Sequence, residues 1–298
     1  MTDASRFEKL SDKLQAGMSL AESEIAALSQ TRDLVRLGAL ADERRRRLRG
    51  DRATFVRVSD VPASEGVGAA IPHAGELRLA GCPATTTRLL ESVRQAVRTA
   101  GDVPVTGFAL DELVELCGGD AARFDDLLAA LRTEGLAYIA EARVERTEDP
   151  AWAMRASAAG VPVARWTVCG QGATGIDALL RVARWGADAS LPAFAPLSPN
   201  ATEPPSTGYE DVRQVALARL LVDNIGSIQV DWRLYGPQLA QVALTFGADD
   251  VDGVSPRDSE ERGPRRTTLE EITRNIRAAG LVPVERDGRF RTLCTHHQ

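Results

Sequence analysis

The chain has 298 residues and a formal net charge of −6, so no global field favours nucleic acid or an anionic membrane surface. Apolar residues make up 44% and charged residues 26%, an ordinary globular mixture that argues against global disorder. The apolar runs are too short for a bilayer span, Met1–Leu10 mixes acidic and basic residues without the apolar centre of a secretory signal, and Cys82, Cys117, Cys169 and Cys294 are too widely spaced for a disulfide framework or a metal knuckle. These features give the expectation of a soluble, cytoplasmic protein with no nucleic-acid or membrane partner.

In chain order, residues 1–50 read as helical. Phe7, Leu10 and Leu14 repeat at helical spacing. Ser19 and Glu22 form a capping-box pattern ahead of a second helix. Asp33 to Leu48 makes a third, ending in the run Arg44–Arg47, which reads as a solvated last turn that complements the helix dipole. After Gly50 the period changes. Arg52 to Val58 reads as a strand, Ser59 to Gly75 as loose chain and Glu76 to Ala80 as a second strand. A helix from Thr85 to Thr99, a strand at Val103–Val105 and a helical pair, Leu110–Cys117 and Ala121–Thr133, come next. Strands at Leu136–Ala140, Pro162–Val168, Ser190–Phe194 and Ile225–Trp232 then alternate with helices at Trp152–Ala159, Gly175–Trp185, Tyr209–Val222 and Pro237–Phe246. Ala248 to Gly253 enters a further strand, a helix ends near Ala279, and Val282 to Phe290 turns at Asp287-Gly288.

Strands alternating with helices imply parallel βαβ units. Some seven or eight such units, without a glycine-rich dinucleotide fingerprint or a phosphate-binding loop, favour an α/β barrel over an open Rossmann sheet. The organisation expected is a helical cap over residues 1–50, a (β/α) barrel over 51–254, and a linker, helix and hairpin-like segment over 255–298.

Particular wording narrows this further. Leu37 to Arg47 followed by Gly50-Asp51-Arg52 through Arg57, then Thr207 to Asp211, Ala218 to Asn224, Leu239 to Gly253 and Val282 to Asp287, resembles the radical SAM enzymes of the futalosine route to menaquinone. That group holds aminofutalosine synthase, the dehypoxanthine futalosine cyclase and the deazaflavin synthase subunits. Ser11 to Gly17 and the distal half fit aminofutalosine synthase best. The resemblance implies a TIM-type barrel of the radical SAM kind.

One segment departs from the family. Its members follow the first strand with a C-x3-C-x2-C loop, whose three thiolates hold a [4Fe–4S] cluster and leave one iron open to chelate SAM. Here Ser59 to Ala74 holds no cysteine, and three soft ligands cannot be supplied by rotamer changes. The stretch up to Glu76 is also short, so the barrel is expected to be incomplete near its first helix. The SAM-lining strand end survives as Ala80-Gly81-Cys82, and the glycine-rich turn expected after Leu136-Ala137-Tyr138 is absent. The cofactor set expected is therefore empty: no cluster, no SAM and no metal. Cys82 and Cys169 read as packed thiols, and His296 and His297 as frayed chain.

The candidate substrate-binding residues are Gly81, Asn200, Glu203, Arg233, Asp250 and Asp252. Most sit where the family wording persists, next to strand C-terminal ends, where barrel sites are built. Asp250 and Asp252 are candidate floor carboxylates, with a solvated strand entry as the alternative. Asn200 and Glu203 lie in a Pro-rich loop that reads as either a pocket rim or plain turns. Arg233 offers a guanidinium for an anionic group or a structural ion pair. The functional reading is a degenerate, cluster-less aminofutalosine synthase homologue. It would bind a small molecule, or pair with an active paralogue or with itself. The alternatives are non-radical acid–base chemistry at the barrel mouth and an active radical SAM enzyme with an unusual cluster site.

Overall fold

The computed structural model describes residues 3–16, 18, 20–65, 72–170, 172–185, 191–197, 208–257 and 268–296. Eight parallel strands pair in sequence order: β1 (Arg52–Pro62), β2 (Glu76–Ala80), β3 (Val105–Ala109), β4 (Tyr138–Arg143), β5 (Arg165–Thr167), β6 (Ala193–Ala195), β7 (Ser227–Asp231) and β8 (Asp250–Val254). β8 returns to β1 through Thr54↔Asp250 and Phe55↔Val251, which closes the barrel. The expected α/β barrel is the architecture found.

Helices α1 (Asp3–Gln15), α2 (Glu22–Ser29) and α3 (Leu34–Arg49) precede the barrel. α4 (Thr86–Ala100), the pair α5 (Leu110–Leu116) and α6 (Ala121–Glu134), α7 (Ala151–Ala158), α8 (Gly172–Trp185), α9 (Gly208–Leu221) and α10 (Trp232–Thr245) join successive strands from β2 onward, and α11 (Thr268–Ala278) follows β8. Apolar residues at helical spacing, such as Leu89, Val93 and Ala96 of α4, face the sheet and are buried, each large aliphatic side chain contributing about 1.5–3 kcal/mol. Asp33 and Asp120 cap α3 and α6 by accepting backbone N–H bonds, worth about 1 kcal/mol each. Between β1 and β2 the described residues form turns, and none of them is helical.

β1 runs four residues past its expected end. Its two halves serve different neighbours. Val58 to Pro62 pairs with β2, whereas Arg52 to Phe55 pairs with β9 (Val282–Arg286) on that same side, where β2 has not yet begun. β9 turns into antiparallel β10 (Thr292–Thr295). The turn lies across the N-terminal end of the barrel: Gly288 N–H donates to the Gly75 carbonyl at 2.9 Å, and the Phe290 ring stands edge-on to Tyr138, the first residue of β4, at 6.1 Å.

Three local expectations shift. The α2 cap falls at Ala21, whose N–H donates to Glu24 Oε2 at 2.8 Å, two residues beyond the predicted Ser19–Glu22 pair. β3 starts at Val105, because Thr106 and Gly107 are buried strand residues; a Cβ at Gly107 would stand 2.8 Å from Leu79 Cβ. The arginine run at the end of α3 is not simply solvated, since Arg45 is fully buried against Asp42 and the Gly50 carbonyl.

Candidate functional site

Alternation along β8 divides the three carboxylates of Asp249-Asp250-Val251-Asp252. Asp249 faces outward and ties helices to the sheet: it accepts from Arg49 Nε of α3 at 2.8 Å, from Arg219 of α9, and from Ile228 N–H at 2.8 Å. Asp250 and Asp252 point into the barrel and are 0% and 1% exposed.

Inside, the two carboxylates sit in successive layers. Asp250 receives Arg286 Nε and Nη2 at 2.7 and 2.6 Å, Gln229 Nε2 at 2.6 Å and the Thr54 hydroxyl. Asp252 receives both Arg78 Nη atoms at 2.9 Å and Arg165 Nη1 at 2.6 Å. Arg78 Nε and the Thr106 hydroxyl both donate to Glu76 Oε1, at 2.8 and 2.5 Å. Burial pushes the Asp252 carboxyl up, but the charges of Arg78 and Arg165 outweigh it and hold the group well below the usual carboxylate range.

Toward the strand C-terminal end the next carboxylate is Asp231, paired in register with Asp252. It ends β7 and caps α10, accepting from Arg233 and Leu234 N–H at 2.8 and 2.9 Å. Gly253 makes room for it: φ there is +70°, and a Cβ would stand 2.6 Å from Asp231 Oδ1. Burial raises the Asp231 carboxyl, and the nearby Asp252 charge raises it further. Asp231 and Asp252 are thus neighbouring carboxyls pushed in opposite directions, a pattern that separates proton-holding from charge-holding roles.

At the mouth, exposed Arg233 reaches Asp60 of β1 at 2.5 Å. Gly81 lies just past β2 with φ +77° and is exposed. The fold therefore sets Asp252 beside Asp231, with Arg233 two residues above, and places Asp250 a layer deeper against Arg286. Asn200 and Glu203 lie outside the described residues. Sequence reasoning missed Asp231, Arg78 and Arg165. A signal for Asp231 was present in its place at the end of a predicted strand, just before a helix.

Residues 199–297 match the family described as the CofH/MqnC C-terminal region. The chain is 40% identical over 94 residues to aminodeoxyfutalosine synthase of Streptomyces coelicolor, covering 30% of this chain and 24% of that protein. The Thermus thermophilus aminodeoxyfutalosine synthase is 42% identical over 93 residues, covering 30% and 25%. The 5-amino-6-(D-ribitylamino)uracil–L-tyrosine 4-hydroxyphenyl transferase of Archaeoglobus fulgidus is 34% identical over 94 residues, covering 30% and 27%. The match spans about a quarter of the length of each of these relatives. Over the whole chain the likeness is one of fold. Methylornithine synthase (PylB) superposes with a TM-score of 0.66 at 14% identity, covering 92% of this chain and 97% of that one; the [FeFe]-hydrogenase maturase HydG gives 0.61 at 13%, covering 95% and 76%.

These relatives and fold neighbours correct one expectation. They fall in the radical SAM group, which uses an iron–sulfur cluster and SAM, so the expectation of an empty cofactor set is withdrawn. The donor set of this chain is a separate matter. The β1–β2 connection offers no thiol. Cys82 follows β2, Cys117 caps α5, Cys169 follows β5 and Cys294 lies on β10, and no three of them converge among the described residues. Burial, aided by the Glu112 charge, pushes the Cys82 thiol up to about 11. A three-thiolate cluster therefore does not fit the described side chains, and no chemical step is derived through one. Among the described residues no helix is long and apolar enough to cross a membrane.

Proposed function

We propose that this chain, whose residues 199–297 match the CofH/MqnC C-terminal region, serves menaquinone-type biosynthesis as a small-molecule-binding or accessory member that does not launch the radical step itself. The observation that carries this is the pairing of a β1–β2 connection without thiolates with a charged barrel mouth built on the family-matched strands. The ligand would lie over Asp231, Asp252 and Arg165. Gly81 and Arg233 would form its rim, and Asp250 would support the floor from below. An accessory role would act through an active paralogue or a second copy of the chain.

Two measurements test it. After anaerobic loading with iron and sulfide, reductive cleavage of SAM is followed under a strong reductant; none is expected, and sustained turnover would overturn the proposal. Thermal shift with futalosine-pathway intermediates should raise Tm, by mass action on the folded state. Asp231→Asn should abolish that rise, and a shift untouched by the variant would move the ligand away from this mouth.

A second reading has its own support. The opposed proton affinities of Asp231 and Asp252 suit general acid–base chemistry on a bound molecule. A bell-shaped pH–rate profile on such a substrate, lost in Asp231→Asn, would favour this reading over simple binding.

A further inference from the structure

At the opposite end of the barrel from the mouth, the β9–β10 hairpin brings together three side chains that the sequence alone leaves apart. Cys294 is the cross-strand partner of Glu285, and His296 lies two residues further along the same chain segment, its N–H bonded to the Pro283 carbonyl at 3.0 Å. The Cys294 Sγ to His296 Nε2 distance is 3.2 Å, His296 Nε2 to Glu285 Oε2 is 3.4 Å, and Cys294 Sγ to Glu285 Oε2 is 3.6 Å. These form the one group of three such ligand atoms lying within 4.8 Å of one another among the described residues.

The geometry points to a divalent transition-metal site, of the zinc class, formed by Glu285, Cys294 and His296. Metal bonds of roughly 2.0–2.3 Å at tetrahedral angles separate neighbouring ligand atoms by roughly 3.3–3.7 Å. The three observed separations fall on or next to that range. The 3.4 Å contact is long for an N–H···O hydrogen bond, whose usual length is about 2.9–3.0 Å, so hydrogen bonding alone explains the triangle poorly. The donor types also agree: a soft thiolate and an imidazole with one carboxylate suit zinc and disfavour calcium or magnesium.

The surroundings orient the ligands. Arg57 Nε holds the other Glu285 oxygen, Oε1, at 2.7 Å, which turns Oε2 toward the cysteine and histidine in the way that outer partners fix a metal-binding carboxylate. The His296 ring packs on Phe55, centroid to centroid 5.7 Å. Cys294 is exposed, whereas Glu285 is buried, so a fourth coordination position would open toward solvent. The ion would bridge β9 and β10 and fasten the hairpin onto β1.

Cobalt(II), the spectroscopic stand-in for zinc, is titrated into the metal-free, reduced full-length chain. The expected result is one-to-one uptake, with a thiolate-to-cobalt charge-transfer band and tetrahedral ligand-field bands, both abolished by competing zinc. Cys294→Ser should remove the charge-transfer band, and His296→Ala should weaken zinc binding by more than the roughly 10–100-fold that loss of an outer partner costs. Cys294 is exposed on an edge strand, so its serine variant should fold normally; an unchanged far-UV spectrum checks this. Absence of uptake, uptake without a thiolate band, or a band that survives Cys294→Ser would each overturn the site. SAM cleavage and ligand binding at the mouth are read separately, so failure here leaves the proposed function standing.

Discussion

The proximal and distal halves of the barrel meet through one buried ion-pair cluster. β2 and β5 bring Arg78 and Arg165, whereas β8 brings Asp252, whose carboxylate lies 2.9 Å from the first guanidinium and 2.6 Å from the second. The distal third matches a known family region; the proximal connection from β1 to β2 lies outside that match and holds no cysteine. The contrast shows that strands outside the matched region still supply charged partners to it. Their guanidiniums neutralise Asp252, which β8 buries, whereas Asp250 of the same strand is paired by Arg286 of β9.

The largest test of this coupling is Asp252→Ala. It would remove the carboxylate that Arg78 and Arg165 share and leave Arg78 with Glu76 alone, and breaking a buried pair from one side costs about 3–5 kcal/mol. Urea unfolding measures it, and a loss below about 1 kcal/mol would mean that the halves are held together by apolar packing alone.

Acid should expose the same coupling more gently. The folded Asp252 carboxyl is held below its unfolded value, which is about 3.9, so its contribution is present above that pH and declines as pH falls below it. The urea midpoint should drop with acidification in the wild type and drop less steeply in Asp252→Asn. Parallel curves would assign acid sensitivity to other groups.

Smaller again is Phe290→Ala, which removes the ring that Arg286 covers at 4.1 Å and the edge contact to Tyr138. A loss of about 1–2 kcal/mol is expected in thermal unfolding; no change would detach the hairpin turn from barrel stability. Arg233→Ala should have the least effect on stability, within about 0.2–1 kcal/mol, because its pair with Asp60 is exposed. A larger loss would show that the mouth is as integral as the floor.

The barrel was legible because strand and helix periods alternate cleanly from Arg52 onward. The interior was not. Arg78 and Arg165 occupy alternate strand positions that look solvent-facing in one dimension, and only closure aims them at Asp252. Asp250 and Asp252 were recognisable as notable carboxylates, yet their arginine partners lie on other strands and left no local pattern. The end of β1 was misjudged for a related reason. Ser59, Asp60 and Pro62 resemble loop residues, but Ser59 is buried in the barrel wall, and Pro62 stands at a strand end, where its missing N–H costs nothing. The metal-ligating trio was hidden because Glu285 meets Cys294 only through antiparallel pairing, and a histidine near the chain's final residues reads as frayed.

The eleven-residue β1 has a consequence for how the chain reaches this state. Its first half pairs with β8 and β9, and the Thr54–Asp250 contact spans 196 residues of sequence. Contacts of that separation form late, because the intervening loop must close before they repay its entropy. During synthesis β1 therefore waits with unpaired backbone along its first half until β8 and β9 emerge from the ribosome, and an unpaired strand edge is a template for association with other chains. Arg52 and Arg57 flank the apolar centre of that strand, and charges so placed are the usual guard against such pairing.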